Sequence, residues 1–152
     1  MPNDGKTIYK TCREAAGLTQ ERAAELLNCG VRTLARWEGG ECLPPEDIVY
    51  HMTLLYNSQY LAVEHLRQAS QIAADILPAV ENCNLQTATI RLVNRVLRFA
   101  SEHRDQQLLQ IAEDGKIDEQ EQAMFNEITG ELRAIVEAST EVCLAKERHY
   151  GE

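Results

Sequence analysis

The sequence predicts an all-α protein, a five-helix N-terminal domain followed by a long antiparallel helical hairpin. Three observations predict it. Of 152 residues, 44% are apolar but only 5% aromatic, with eight Gly and four Pro. Ala, Leu, Glu, Gln and Arg are common, and these lose least on entering a helix. Apolar residues recur at spacings of three and four, and no segment reads as a strand. The pattern is interrupted at helix punctuation: Gly17, Gly39-Gly40, Pro44-Pro45, Pro78 and Gly115.

The elements follow in order. Thr7 to Ala16 reads as a helix that stops at Gly17, because Gly tolerates the positive φ of a C-terminal cap. Thr19 is an N-cap for the next helix, with Glu21 in its first turn, and Ala23, Ala24, Leu26 and Leu27 give it an apolar side. Gly30 opens a third helix ending at Trp37 or Glu38. Pro45 with Glu46 and Asp47 opens a fourth, whose inner stripe is expected to be Ile48, Met52 and Leu55. Tyr60 to Arg67 forms a fifth. Residues 1–68 are thus expected as one domain and 69–85 as a connecting helix and linker. Residues 86–152 are expected as a helical hairpin with arms at about 87–112 and 119–148. Gly115 would end the first arm, and Asp118 with Glu121 would cap the second. At 1.5 Å per residue each arm would be roughly 40 Å long.

Composition bounds the function. The formal net charge is -9, unusual for a nucleic-acid binder. It is unevenly spread: residues 1–56 hold six Lys/Arg against eight Asp/Glu, and residues 57–152 nine against sixteen. No apolar run is long enough to span a membrane, so no membrane partner is expected. The polar start Met1-Pro2-Asn3-Asp4-Gly5 lacks a signal-peptide apolar core, which makes the cytoplasm the expected location. Five cysteines at 12, 29, 42, 83 and 143 include no C-x-x-C pair. They read as small buried apolar residues rather than a disulfide framework or a zinc site. The four histidines are scattered, and no phosphate loop or nucleophile–base pattern is visible. No catalytic residue, metal or cofactor is expected, and the chain does not read as an enzyme.

One segment carries chemistry, Leu18 through Pro44. Two short helices joined by a turn of three or four residues leave the second free to protrude. A helix fits the major groove of B-DNA and presents its N-terminal side chains to base edges. Ala24 is small where the helices cross, and Leu27, Leu34 and Trp37 are spaced to share a core. Val31, Arg32, Ala35 and Arg36 are left facing outward. Arg can bond guanine through two N–H groups, and Val can meet a thymine methyl.

These residues resemble the helix-turn-helix of the lambda-repressor/Cro-like, or XRE, family. The resemblance rests on Leu18-Thr19-Gln20-Glu21, Ala24, Trp37-Glu38, Gly40 and Pro44 at the family's spacing, and it covers about residues 6–67. It implies double-stranded DNA as partner, with Val31, Arg32 and Arg36 reading bases. Thr19, Gln20 and Thr33 would touch phosphate or the groove edge, and Arg13 and Glu38 would form an ion pair holding the first helix to the recognition helix. Gly30 stands where the family often has Ser or Thr. Gly39 and Glu41 replace residues that are often basic, and Glu41 would repel phosphate. The second half resembles, more loosely, helical tails of bacterial and phage regulators, which implies a mobile-element context and oligomerisation.

In the hairpin, Ile90, Val93, Leu97 and Ala100 run along one arm. Phe125, Ile128, Leu132, Ile135 and Val142 run along the other. Arg91, Arg95 and Arg98 share a side and are expected to meet Glu127, Glu131 or other acids of the second arm or a partner. The expected function is sequence-specific DNA binding by a transcriptional regulator, a homodimer joined through its C-terminal helices. The alternative is an acidic protein-interaction adaptor or antirepressor that keeps the fold.

Overall fold

A computed structural model of the chain describes residues 7–145. Among these residues there are nine α-helices and no strand. They fall into two compact units that divide after Leu77.

The first unit contains α1 (Ile8–Ala15), α2 (Gln20–Leu26), α3 (Val31–Glu38), α4 (Glu46–Leu55), α5 (Gln59–Ala69) and α6 (Gln71–Ile76). Local chemistry sets the boundaries. The Thr19 hydroxyl accepts from the Arg22 backbone N–H at 3.2 Å and caps α2. Gly17 has φ +71 after α1, and Asn57 has φ +47 between α4 and α5. Asn28, at φ +52, makes the turn between α2 and α3; Asn tolerates this left-handed conformation better than most side chains. The core gathers Tyr9, Cys12, Ala23, Ala24, Leu27, Leu34, Trp37, Val49, Met52, Tyr56 and Leu61. On α4 the deepest residues are Val49 and Met52, while Ile48 and Leu55 pack around them half-buried.

The connecting segment differs from expectation. α6 packs on α5 within the first unit. Arg67 of α5 fastens it by donating to the carbonyl oxygens of Ala74, at 3.2 Å, and of Leu77. Ser70 caps α6 through the Ala73 N–H. The unit therefore runs past residue 68, and Pro78 begins the second.

That second unit contains α7 (Leu85–Ser101), α8 (Arg104–Ile111) and α9 (Gln122–Leu144). Asn84 caps α7 by accepting from the Thr87 N–H at 2.9 Å. α7 and α9 pack along one another and are antiparallel. Arg91 meets Glu141 at 3.2 Å, Arg95 meets Glu137 at 3.5 Å, and Arg104 meets Glu131 at 3.0 Å and Glu127 at 3.5 Å. Arg91 and Arg95 thus face α9 acids further along than Glu127 and Glu131, and Arg98 pairs with Glu102 on its own helix side at 2.9 Å.

The first arm is not continuous to Ala112. His103 has φ +55 and separates α7 from α8. The break is filled: Arg104 reaches Glu102 at 3.1 Å, and Gln107 donates to the Glu102 carbonyl at 3.3 Å. It allows α8 to turn and pack on α9. The described arms are correspondingly shorter, 17 residues for α7 and 23 for α9. The expected cap is present one turn before the formal start of α9. Asp118 Oδ1 accepts from the N–H groups of Gln120 and Glu121, and Glu121 Oε2 accepts from the Asp118 N–H. Residues 146–148 of the expected second arm lie outside the described residues.

No disulfide joins cysteines among the described residues, and not all of them are buried. Cys12 is in the core, whereas Cys42 and Cys143 are exposed. No helix among the described residues is long and apolar enough to cross a membrane.

One buried pair gives the first unit a pH dependence. Tyr9 Oη lies 2.8 Å from His65 Nδ1, with both residues buried. Burial lowers the His65 pKa below its ordinary 6.5, against a smaller opposite effect of Glu46, and burial raises Tyr9 to about 12. A folded-state pKa below the unfolded one means that protons bind the unfolded chain more readily. This contribution to stability is therefore full above pH 6.5 and is lost as pH falls from there through the folded value. Thermal melts followed by fluorescence of Trp37, the single tryptophan, should show the transition falling between neutral and mildly acidic pH. His65→Gln should flatten that slope; an unchanged slope would remove His65 as its cause.

Candidate nucleic-acid interface

The candidate interface is the outward face of α3. Leu34, Trp37 and Glu38 are buried on its inner side, while Val31, Arg32, Thr33 and Arg36 are exposed and Ala35 is half-buried. The inner residues recur at three and four, so the helix has one side sunk in the core and the other bare. Arg32, Thr33, Ala35, Arg36 and Glu41 line an open concavity of about 570 Å³. Arg32 and Arg36 thus share this concavity, while Val31, the first residue of α3, is exposed outside it. Arg32 makes no ion pair or hydrogen bond among the described residues, whereas Arg36 Nε donates to Glu41 Oε2 at 3.1 Å.

The pose of α3 is set by a buried polar cluster at its C-terminal end. Arg13 of α1 donates through Nε to Glu38 Oε1 at 2.6 Å and through Nη2 to Oε2 at 3.1 Å. The two side chains are 7% and 2% exposed. The hydrogen bond to Glu38 raises the Arg13 pKa further above its ordinary value, burial opposing it. The Arg13 guanidinium also donates to the Leu18 carbonyl. Gln20 of α2 donates to Glu38 Oε2 at 2.8 Å, and the Thr7 hydroxyl donates to the Glu38 carbonyl at 2.9 Å. One carboxylate therefore ties α1, α2 and α3 together. Tyr56 is buried nearby, and its pKa is raised chiefly by burial, with a further contribution from Glu38.

This cluster separates the remaining candidates. Arg13 and Glu38 are brought together. Gln20 is half-buried, with its amide bound inward to Glu38, which the sequence did not reveal. Its backbone N–H, at the start of α2, remains the group suited to phosphate. Thr19 is exposed while capping α2, and Thr33 is exposed in the first turn of α3. Gly30 precedes α3 in extended conformation without a side-chain cap.

Glu41 is a contact that spacing alone could not provide. It follows the Gly40 turn, where φ is +75, and returns its carboxylate to Arg36. Glu41→Gln should raise affinity for duplex DNA severalfold, because it frees a cation and removes a repulsive charge. An affinity drop in equilibrium titrations would instead make Glu41 a positioner of Arg36.

No group of three or more His, Cys, Asp or Glu suited to a metal occurs among the described residues.

Residues 10–59 match a family model described as a helix-turn-helix domain. Searches of curated proteins and of solved structures returned no match to the chain. The matched residues run from α1 into the start of α5 and contain all of α2, the Asn28 turn and α3. The protein is all-α over its described residues and carries an N-terminal helix-turn-helix domain, a domain type that suggests a DNA-binding regulator.

Proposed function

We propose that the chain is a sequence-specific DNA-binding transcriptional regulator, not an enzyme. It places α3 in the major groove and acts as a homodimer through its C-terminal helices. The observation that carries the reading is the bare outer face of α3, with Val31, Arg32 and Arg36 exposed together on a helix whose other side is locked into the core. Arg32 and Arg36 suit the paired acceptors of guanine, and Val31 suits a thymine methyl. Thr33 and Thr19 are exposed hydroxyls at helix starts, where phosphate contacts form. The N–H of Gln20, rather than its inward-bound amide, serves the same end. Two-fold symmetry would set two α3 helices about 34 Å apart, one turn of DNA. The similarity to lambda-repressor/Cro-like proteins supports this arrangement and a bacterial or phage setting.

A second reading is favoured by one specific contact. Glu41 holds Arg36, and the chain is acidic overall, as an adaptor or antirepressor working through its acidic helices could be. Selection of bound sequences from random duplex DNA, repeated over a salt series, separates the two. A regulator enriches a defined sequence and loses affinity steeply with salt, because phosphate neutralisation releases counterions. An adaptor enriches nothing, and that outcome would end the regulator reading.

A further inference from the structure

We infer that the outer face of α7 is the surface through which two copies of this chain pair. The inference deepens the homodimer part of the proposed function and rests on that reading for its expectation of a second copy.

α7 has two apolar faces, and only one is used within its own unit. The inner face carries Ala88, which is buried, with Leu92 and Phe99 half-buried against α9. Ile90, Val93 and Leu97 lie on the opposite side, with Val96 at its edge, and all four are exposed. Ile90 and Leu97 are 61% and 62% exposed. A helix apolar on both sides has a second surface to cover. The hairpin stripe expected from the sequence, Ile90–Val93–Leu97–Ala100, is therefore not the seam between the arms. The seam is Ala88–Leu92–Arg95–Phe99, which leaves the first stripe to the outside.

Charge placement identifies the occupant. α7 contains three charged residues, Arg91, Arg95 and Arg98. Arg91 and Arg95 face α9, and Arg98, 69% exposed, lies at the border between the two faces, outside the Ile90–Val93–Leu97 stripe. Arg91 pairs with Glu141 and Glu81, Arg95 with Glu137, and Arg98 with Glu102. The polar residues bordering the outer stripe, such as Thr89 and Asn94, are neutral. In a chain with 26% charged residues, this face has no charge. Nucleic acid or an anionic membrane would require cations there, and a charged peptide would require opposite charges. In a two-fold pair residue i meets residue j and j meets i, so a face carrying charge of one sign alone, as the all-arginine charge of α7 would give, would meet its own sign. A neutral face escapes that repulsion. The 3-4-3 spacing of residues 90, 93, 97 and 100 is that of a seam between two helices packed side by side. Covering both copies removes on the order of 1,000 Å² from water, the lower end of specific interfaces, so the pairing should be concentration-dependent.

Sedimentation equilibrium of the full chain, from submicromolar to high micromolar concentration, tests this. The mass should move from the 17.1 kDa of one chain toward twice that value. Leu97→Glu and Ile90→Glu should each hold it at one chain, with unchanged helical circular dichroism. At concentrations where wild type is also monomeric, their melting temperatures should match it. Leu109→Glu, on the exposed side of α8, should still pair. A wild type that stays monomeric throughout overturns the inference, as does a Leu97→Glu chain that still pairs. So does a loss of pairing in Leu109→Glu. A lowered melting temperature in monomeric Leu97→Glu overturns it too, because the chain itself would then be covering the face. The readout is independent of DNA: a paired chain that binds no duplex defeats only the regulator reading. A monomer that binds a half-site defeats only this one.

Discussion

Replacing Glu38 with alanine is expected to destabilise the first unit by about 3–5 kcal/mol, the range for leaving a buried charge without its partner. The carboxylate accepts two hydrogen bonds from Arg13 and one from Gln20, and both charged side chains are almost wholly covered. Without it, Arg13 keeps the Leu18 carbonyl and a distant contact with Glu14 at 3.9 Å, which is too little for a desolvated guanidinium. The loss is a large part of an ordinary domain's total of about 5–15 kcal/mol. Urea unfolding followed by Trp37 fluorescence reads it directly, because Trp37 packs in the same core. Arg13→Met combined with Glu38→Leu should recover most of the stability, since an apolar pair leaves no stranded charge. A Glu38→Ala cost below about 1 kcal/mol would put the pair in the surface class and remove it as the anchor of α3.

The second large effect is on DNA. Arg32→Ala with Arg36→Ala should abolish sequence-specific binding while leaving the fold unchanged. Each two-bond Arg–guanine contact is worth about 1–3 kcal/mol of discrimination, so the pair together accounts for roughly 2–6 kcal/mol. Both side chains are exposed, so their removal opens no cavity. Only the exposed Arg36–Glu41 ion pair is lost among described contacts, and such pairs stabilise little. Gel shifts on a selected duplex, beside urea melts, separate the two quantities. A double variant that binds the selected sequence as wild type does would move the reading surface away from α3.

The helix-turn-helix was legible in the sequence because its signals are local. Thr19 caps over three residues, the core positions 24, 27, 34 and 37 lie within four turns, and the pattern ends at Gly39-Gly40. What was not legible depended on tertiary choice. Asn28 carries the left-handed turn where no glycine marks it, and His103 does the same between α7 and α8. His is among the side chains that tolerate positive φ, but nothing nearby announces a break. The two faces of α7 are the clearest case. Both stripes have helical period, and periodicity cannot say which meets α9. The choice went to the face carrying Arg91 and Arg95, because Glu141 and Glu137 oppose it. The inward turn of the Gln20 amide was not legible for a related reason. Its position at the start of α2 suggests phosphate, yet a buried carboxylate within reach outcompetes solvent for its amide.

The clamp on Glu38 has an implication for how binding preferences could diversify. The orientation of α3 is fixed by residues 7, 13, 20 and 38, none of which belongs to the proposed base-reading set at 31, 32 and 36. Posture and vocabulary are therefore encoded in separate side chains. The backbone arrives already ordered, so little conformational freedom is surrendered on docking. On the proposed reading, exchanges at the three outer positions alter which bases are favoured without disturbing the scaffold that aims them.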